Sequence, residues 1–403
     1  MSERDEGVPW PGVAPHPEKA YVKALLVKQC EKLAYITELR RFLLKHPLLV
    51  LELGFRVLSD STQPYGFDVE RSVPCDRWLR HKLQTLPNVI LQALLQETVH
   101  ELQSEIPGLG ETAVTDTKHI YAWVKENNPR EFIKNRYDPE RQPSADPDCR
   151  LGVKRSSNQD DNNGQVEVQK EYLWGYGSGV MAATHPKYGD VVLAEYTLPF
   201  NEADSTYFAP LYARLVATLG FRPRHLAADA AYDAWHIYQP YAEVGGLAAI
   251  PLNLRGHPKP ELGPNGFHLC PRGLEMSPSY QYQHTSGYRA QVLRCPLLFP
   301  DKSEQRCDHV QFIKRTGCVK HINIEVGGWM RIQLDRQSDE YKRLYRQRTA
   351  AERINSQAKE LGIETPKVRN INSVVNLNTL IYLVINARAL QRVRRVNAMA
   401  QSP

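Results

Sequence analysis

Four residues late in the chain, Tyr345, Arg348, Glu352 and Lys359, stand at offsets 0, +3, +7 and +14. On one continuous α-helix, at about 100° per residue, they share an arc roughly 60° wide. A surface helix usually gives a stripe that narrow to Leu or Ile. Here it carries a phenol, a guanidinium, a carboxylate and an ammonium. Arg offers a fork for bidentate contact with phosphate, and Lys a point charge. The same spacing also suits a solvated face with an i, i+4 pair between Arg348 and Glu352. Spacing alone leaves both readings open.

Two further carboxylates stand where a sheet could use them. In "RHLAADAAYDAWHIY" an apolar run ends in Asp229, and small residues and a helical pattern follow. Ligands of open α/β sheets gather at the carboxyl ends of strands, which puts Asp229 at the active edge. Asp233 is its rival, but its position suits the cap of the next helix. Asp116, in "ETAVTDTKHIYAW", lies in the first β-like run of the chain. Its rivals are Asp146 and Asp148 in "SADPDCRLG", and Asp190. Pro147 makes the "DPD" segment a poor strand interior.

The elements that must hold these groups follow from periodicity. Residues 1–17 are proline-rich and read as a flexible lead-in. Residues 18–110 are helical, with Leu25, Leu26, Leu33, Ile36, Leu39, Leu43 and Leu44 near helical periods. They could be an independent DNA-binding bundle or scaffolding. Strand-like runs occupy 112–120, 171–184 and 189–198, and the polar stretch "RSSNQDDNNGQ" between the first two reads as a mobile loop. A helix over 203–220, capped by Asp204 or Ser205, precedes a buried strand at 224–229. A helical stretch interrupted by Pro240 leads to a strand at 246–253. Residues 255–337 are rich in Pro and Gly, and one long helix is expected over 338–361 and another over about 371–394. The order β β β α β α β, insert, α calls for a mixed sheet flanked by helices.

"YRQRTAAERINSQAK" (345–359) resembles the Y-x-x-R-x-x-x-E-x-x-x-x-x-x-K signature of insertion-sequence DDE transposases, and "DAAYD" (229–233) resembles their D-x-x-Y-D phrase. "VPCDRWLRHKL" (73–83) is similar to the segment before their catalytic domain. The resemblance implies an α/β, ribonuclease H-like catalytic domain built from 111–254 and 338–403. It also implies a helical, DNA-binding N-terminal domain over 18–110 and a β-rich insertion over 255–337. Asp116, Asp229 and Glu352 would be the catalytic, metal-binding carboxylates, and Tyr345, Arg348 and Lys359 would hold DNA. Two Mg²⁺ ions, with Mn²⁺ able to substitute, would support in-line phosphoryl transfer. Water would free a 3′-hydroxyl at the element end, and that hydroxyl would attack target DNA. The partners implied are double-stranded DNA, as terminal inverted repeats and target, and a second copy of the chain bridging two ends. The alternatives are a transposase-derived DNA-binding protein that no longer cuts, and a ribonuclease H-like nuclease that hydrolyses without joining.

Composition agrees with a polyanion partner. The chain carries +6 overall, yet residues 341–403 hold twelve Lys or Arg against three acids, a net +9. The opening residues lack the apolar stretch of a secretory signal, and Asn and Arg interrupt the longest apolar run, 377–390. A cytoplasmic protein without a membrane segment is expected, with its seven cysteines reduced. The insertion holds Cys270, Cys295, Cys307 and Cys318 but no C-x-x-C pair, so buried free thiols rather than zinc ligands are expected.

Overall fold

The computed structural model describes residues 15–159, 166–254, 256 and 258–401. Helices come first: α1 (Glu18–Cys30), α2 (Ile36–Lys45) and α3 (Pro47–Leu53). Glu38 reaches back to the Tyr35 N–H at 2.9 Å to open α2, and Gly54, with φ of 85°, closes α3. A two-residue hairpin, β1 (Leu58–Ser59) with β2 (Phe67–Asp68), leads into α4 (Val69–Ser72), capped by Asp68. Next are α5 (Asp76–Thr85) and α6 (Asn88–Glu105), which bury Leu79 and Leu83, and Leu91, Leu95, Val99 and Leu102, at helical spacing.

The sheet follows: β3 (Thr112–Tyr121), β4 (Arg150–Gln159), β5 (Val166–His185), β6 (Gly189–Pro199), α7 (Asp204–Leu219), β7 (His225–Ala227), α8 (Trp235–Ala242) and β8 (Leu247–Ala249). Strand order is β4-β5-β3-β7-β8, with β6 also on β5. β7 runs parallel to β3 and β8, and every other pairing is antiparallel. This is a ribonuclease H-like mixed sheet with flanking helices. Its α7 lies so close over β5 that a Cβ on Gly177 would collide with the Tyr207 hydroxyl.

Several expectations change. The "RSSNQDDNNGQ" segment is not a loop throughout: residues 155–159 continue β4 and pair with β5, while 160–165 lie outside the described residues. Alternation is weak there because the strand is polar, so periodicity misses it. Pro240 sits inside α8 rather than breaking it. Asp204 is the first residue of α7 instead of its cap; Ala203 precedes it with extended backbone and makes no side-chain cap.

The insertion is a three-stranded antiparallel sheet, β9 (Ser277–Gln283), β10 (Arg289–Arg294) and β11 (Val319–Asn323) in the order β11-β10-β9, with short α9 (Val310–Ile313) and α10 (Val326–Gln333). The expected single helix over 338–361 is two: α11 (Asp339–Tyr345) and α12 (Thr349–Glu360), joined by a 3₁₀ turn at Arg346–Arg348. α13 (Ile371–Gln401) ends the chain. It is long and apolar enough to cross a membrane by length and composition, but 78% of its most apolar window is buried inside the protein. Asparagines along it latch it in place. Asn386 exchanges hydrogen bonds with the Val192 backbone at 2.8 and 2.9 Å, and Asn376 donates to the Leu83 and Leu86 carbonyls at 2.8 Å. One core joins residues of α1, α2, α5 and α6 to β3, β5, α12 and α13, so the N-terminal helices share a hydrophobic core with the sheet.

Candidate active site

The geometry starts from the parallel pair. Val114 of β3 is registered with Ala227 of β7. Asp116, two residues further along β3, and Asp229, two residues past the end of β7, therefore emerge at the same end of the parallel pair, near enough for the Asp229 charge to act on Asp116. Asp229 then caps the turn Ala230–Tyr232, accepting from the Ala231 N–H at 2.9 Å. Asp116 accepts from the Thr117 N–H and from Asn355 Nδ2 of α12, both at 2.9 Å. Burial, and then the charges of Asp229 and of Asp204 at the start of α7, push the Asp116 carboxyl up to about 6 against those hydrogen bonds. Asp204 is itself raised, by burial and by Asp229.

Ala350, Ala351, Ile354 and Ala358 bury one face of α12, and their small size lets the helix lie close on the sheet. Arg353 fixes its rotation with two 2.7 Å bonds to the buried Asp190. Glu352, Asn355 and Lys359 then line a cavity of about 370 Å³ with Asp116, His119 and Lys154. Asp229 is not part of that lining. A second cavity of equal volume, at Glu111, Phe221 and Arg224, holds none of the candidate residues.

The 3₁₀ turn shifts Tyr345 off the arc expected of one continuous helix, yet the neighbours stay together. The Arg348 guanidinium lies 5.7 Å from the Tyr345 ring, and Tyr345 stacks on Tyr341 at 5.7 Å. Arg348 pairs with Glu352 at 2.8 Å, the i, i+4 contact of a solvated face. Lys359 and Lys118 share Glu364 at 2.9 and 3.5 Å.

Each rival carboxylate has a structural partner. Asp233 does not cap α8: it takes Arg331 of the insertion at 2.9 and 2.7 Å, the Tyr238 hydroxyl at 2.8 Å and the Asn253 N–H at 2.7 Å. Asp146 accepts from the Tyr176 hydroxyl, Asp148 from the first N–H of α13, and Asp190 from Arg353. Asn355 and Asp204 were not foreseen. Asn355 could have been, since it follows Glu352 by three residues and so shares its helix face. Nothing in the sequence draws Asp204 toward β3.

Among the described residues, no three Asp, Glu, His or Cys side chains are gathered closely enough to hold a metal ion. The donor set nevertheless suits one. Asp116, which lines the cavity, Asp229 and Asp204 repel one another, and a hard divalent cation with oxygen ligands would relieve that repulsion. Glu352 could join them only on leaving Arg348.

A parallel pair carrying adjacent aspartates at its carboxyl end, with a glutamate-bearing helix across the cleft, defines a ribonuclease H-like protein of the DDE class. The model of the family described as "Transposase DDE domain" matches residues 162–387, more than half of the chain, and the chain belongs to that family. It is therefore a transposase, an enzyme whose partner is DNA. The matched span contains Asp229 and the whole 345–359 segment, whereas Asp116 precedes it. A comparison with curated proteins finds no match.

Proposed function

We propose that this transposase cleaves DNA at the ends of an insertion sequence and joins the freed 3′-hydroxyl to target DNA, with Asp116, Asp229 and Glu352 as the metal-binding carboxylates. The register of β3 and β7 supports the reading: it brings Asp116 and Asp229 to one end of the parallel pair, where the Asp229 charge acts on Asp116. Two bound Mg²⁺ ions would supply charge stabilisation at the attacking and leaving oxygens. The chain's own residues do the rest. Asn355 and the Thr117 N–H hold Asp116 oriented toward the cleft. Arg348, Tyr345 and Lys359 grip the backbone of the element end, and Lys118 and Lys154 extend the cationic wall. Water attacks the phosphorus and the bond to the 3′ oxygen breaks. That 3′ oxygen then attacks a target phosphodiester and displaces its 3′ oxygen. Arg348 exchanges Glu352 for phosphate as DNA enters, which frees the glutamate for the site. The active species is a dimer pairing two ends, working in the cytoplasm.

The Arg348–Glu352 pair also favours a second reading, a DNA-binding protein that does not cut. Incubating the protein with Mg²⁺, a labelled duplex carrying the element ends and a supercoiled target separates the readings. Joined product supports transposition. Nicking without joining indicates a hydrolytic nuclease, and binding without either reaction indicates the inactive protein.

A further inference from the structure

The insertion between β8 and α11 buries few apolar side chains among its described residues: Cys270, Met276, Leu293 and Ile322 form one small cluster, and Ala290, Val292, Cys295 and Leu297 are buried beside the sheet. A unit this poor in apolar burial ordinarily needs a covalent or metal staple. Its four cysteines, 25, 12 and 11 residues apart along the chain, are drawn together by three independent links. The antiparallel register pairs Arg294 of β10 with Val319 of β11, so the next step sets Cys295 opposite Cys318. A Cβ added to Gly317 would lie 2.6 Å from Cys295 Cβ, which confirms how closely the two segments approach. Cys270 is buried in the cluster against which Cys318 packs. Arg272, in the turn that Cys270 opens, donates to the Arg306 carbonyl and so ties Cys307 to that turn.

Two of the four cysteines head tight turns with Pro next in line. In Cys270-Pro-Arg-Gly the Gly273 N–H returns to the Cys270 carbonyl at 2.8 Å. In Cys295-Pro-Leu-Leu the Leu298 N–H returns to the Cys295 carbonyl at 3.1 Å. Cys295, Cys270 and Cys307 all lie near enough to Cys318 to act on its thiol electrostatically. His309 Nδ1 lies 3.5 Å from Cys318 Sγ, the position of an outer-shell partner.

We propose that Cys270, Cys295, Cys307 and Cys318 bind one zinc ion as thiolates and that this ion staples the insertion to its fold. The assignment departs from the expectation of free buried thiols, which rested on spacing along the chain. Zinc takes four sulfurs in a tetrahedron, and each ligating thiol passes its proton to solvent. As they stand, no three of these side chains lie within shared ligand distance among the described residues. Closure therefore needs rotation of the partly exposed Cys307 and Cys318.

The test is elemental analysis of the full-length protein purified under reducing conditions, with cobalt replacing zinc in a parallel sample. About one zinc per chain is expected, together with the visible absorption of tetrahedral cobalt thiolate. Cys318→Ser should lose the ion and that spectrum, and a chelator should lower the melting temperature of the wild-type protein. Should Cys318→Ser fail to fold, the cobalt spectrum of the wild-type chain still decides. Protein without zinc that also gives no thiolate–cobalt band overturns the proposal, as does a disulfide between any two of the four. None of these readouts depends on DNA cleavage, so the zinc site and the catalytic reading fail separately.

Discussion

Asp229 and Asp233 are four residues apart, and exchanging each for Asn should have opposite effects. Asp233 is fully buried, and Arg331, the Tyr238 hydroxyl and the Asn253 N–H converge on its two oxygens. Asn at 233 keeps one acceptor but leaves the Arg331 guanidinium without its counter-charge. Breaking a buried pair costs about 3–5 kcal/mol, and because Arg331 is about one-fifth exposed, the lower end, about 3 kcal/mol, is expected. Asp229 makes one cap bond, to the Ala231 N–H, and Asn caps as well as Asp. The exchange also removes a charge that repels Asp116 and Asp204, so the stability of metal-free Asp229→Asn should stay within about 0.5 kcal/mol of wild type or rise. Cleavage should behave the other way. Asp229→Asn should lose it by three orders of magnitude or more, about 4 kcal/mol of transition-state stabilisation. Asp233→Asn, assayed well below its unfolding transition, should keep most of it. Urea denaturation and Mg²⁺-dependent nicking of an end-containing duplex measure the two quantities. A stable, inactive Asp233→Asn beside an active Asp229→Asn would refute the assignment of the second carboxylate.

The raised Asp116 carboxyl predicts a pH signature in the metal-free protein. Its folded value, about 6, lies above the unfolded one, so the folded state binds the proton more tightly and stability falls as pH rises from about 4 to 6. Asp204 acts with the same sign, so the comparison that isolates Asp116 is the melting temperature of wild type against Asp116→Asn. The variant should gain on wild type above pH 6, and parallel curves would contradict the shift. DNA binding should weaken by about 0.9 log units per log unit of salt for each phosphate contact. Arg348→Ala and Lys359→Ala should each lower that slope by about one contact, and Glu364→Gln, which releases Lys118 and Lys359, should tighten binding.

Much of the candidate site was legible because the proposed metal-binding carboxylates sit at places that leave a local mark. Asp229 closely follows an apolar strand, and Glu352 lies on a helix whose polar face carries matched cations. The rival aspartates could not be dismissed in advance, because their partners are remote in sequence: Arg331 for Asp233, Arg353 for Asp190, Tyr176 for Asp146. The 3₁₀ turn at Arg346–Arg348 was invisible for a related reason. "RQR" has ordinary helix propensity, and its tightening comes from packing against β3 and β7. The asparagines of α13 argued in the sequence against a membrane span, whereas folded they supply the bonds that hold the helix to β6 and α5. The gathering of the insertion's thiols likewise depends on the register of β10 with β11, which no spacing rule contains.

In the proposed mechanism Glu352 leaves Arg348 to complete a catalytic site with Asp116 and Asp229. The most direct measurement is the rate at which Glu352→Gln cuts an end-containing duplex with Mg²⁺, beside a gel shift without metal. Arg348–Glu352 is a half-exposed i, i+4 pair worth about 0.3–0.5 kcal/mol, so the variant should fold normally and bind DNA as well as wild type or slightly better. Its cleavage should fall at least about a thousandfold. Glu360→Gln, which alters an exposed residue 4.0 Å from Lys32, should cut at the wild-type rate. Near-wild-type cutting by Glu352→Gln would mean that α12 is only a DNA-facing surface and that the catalytic assignment is wrong.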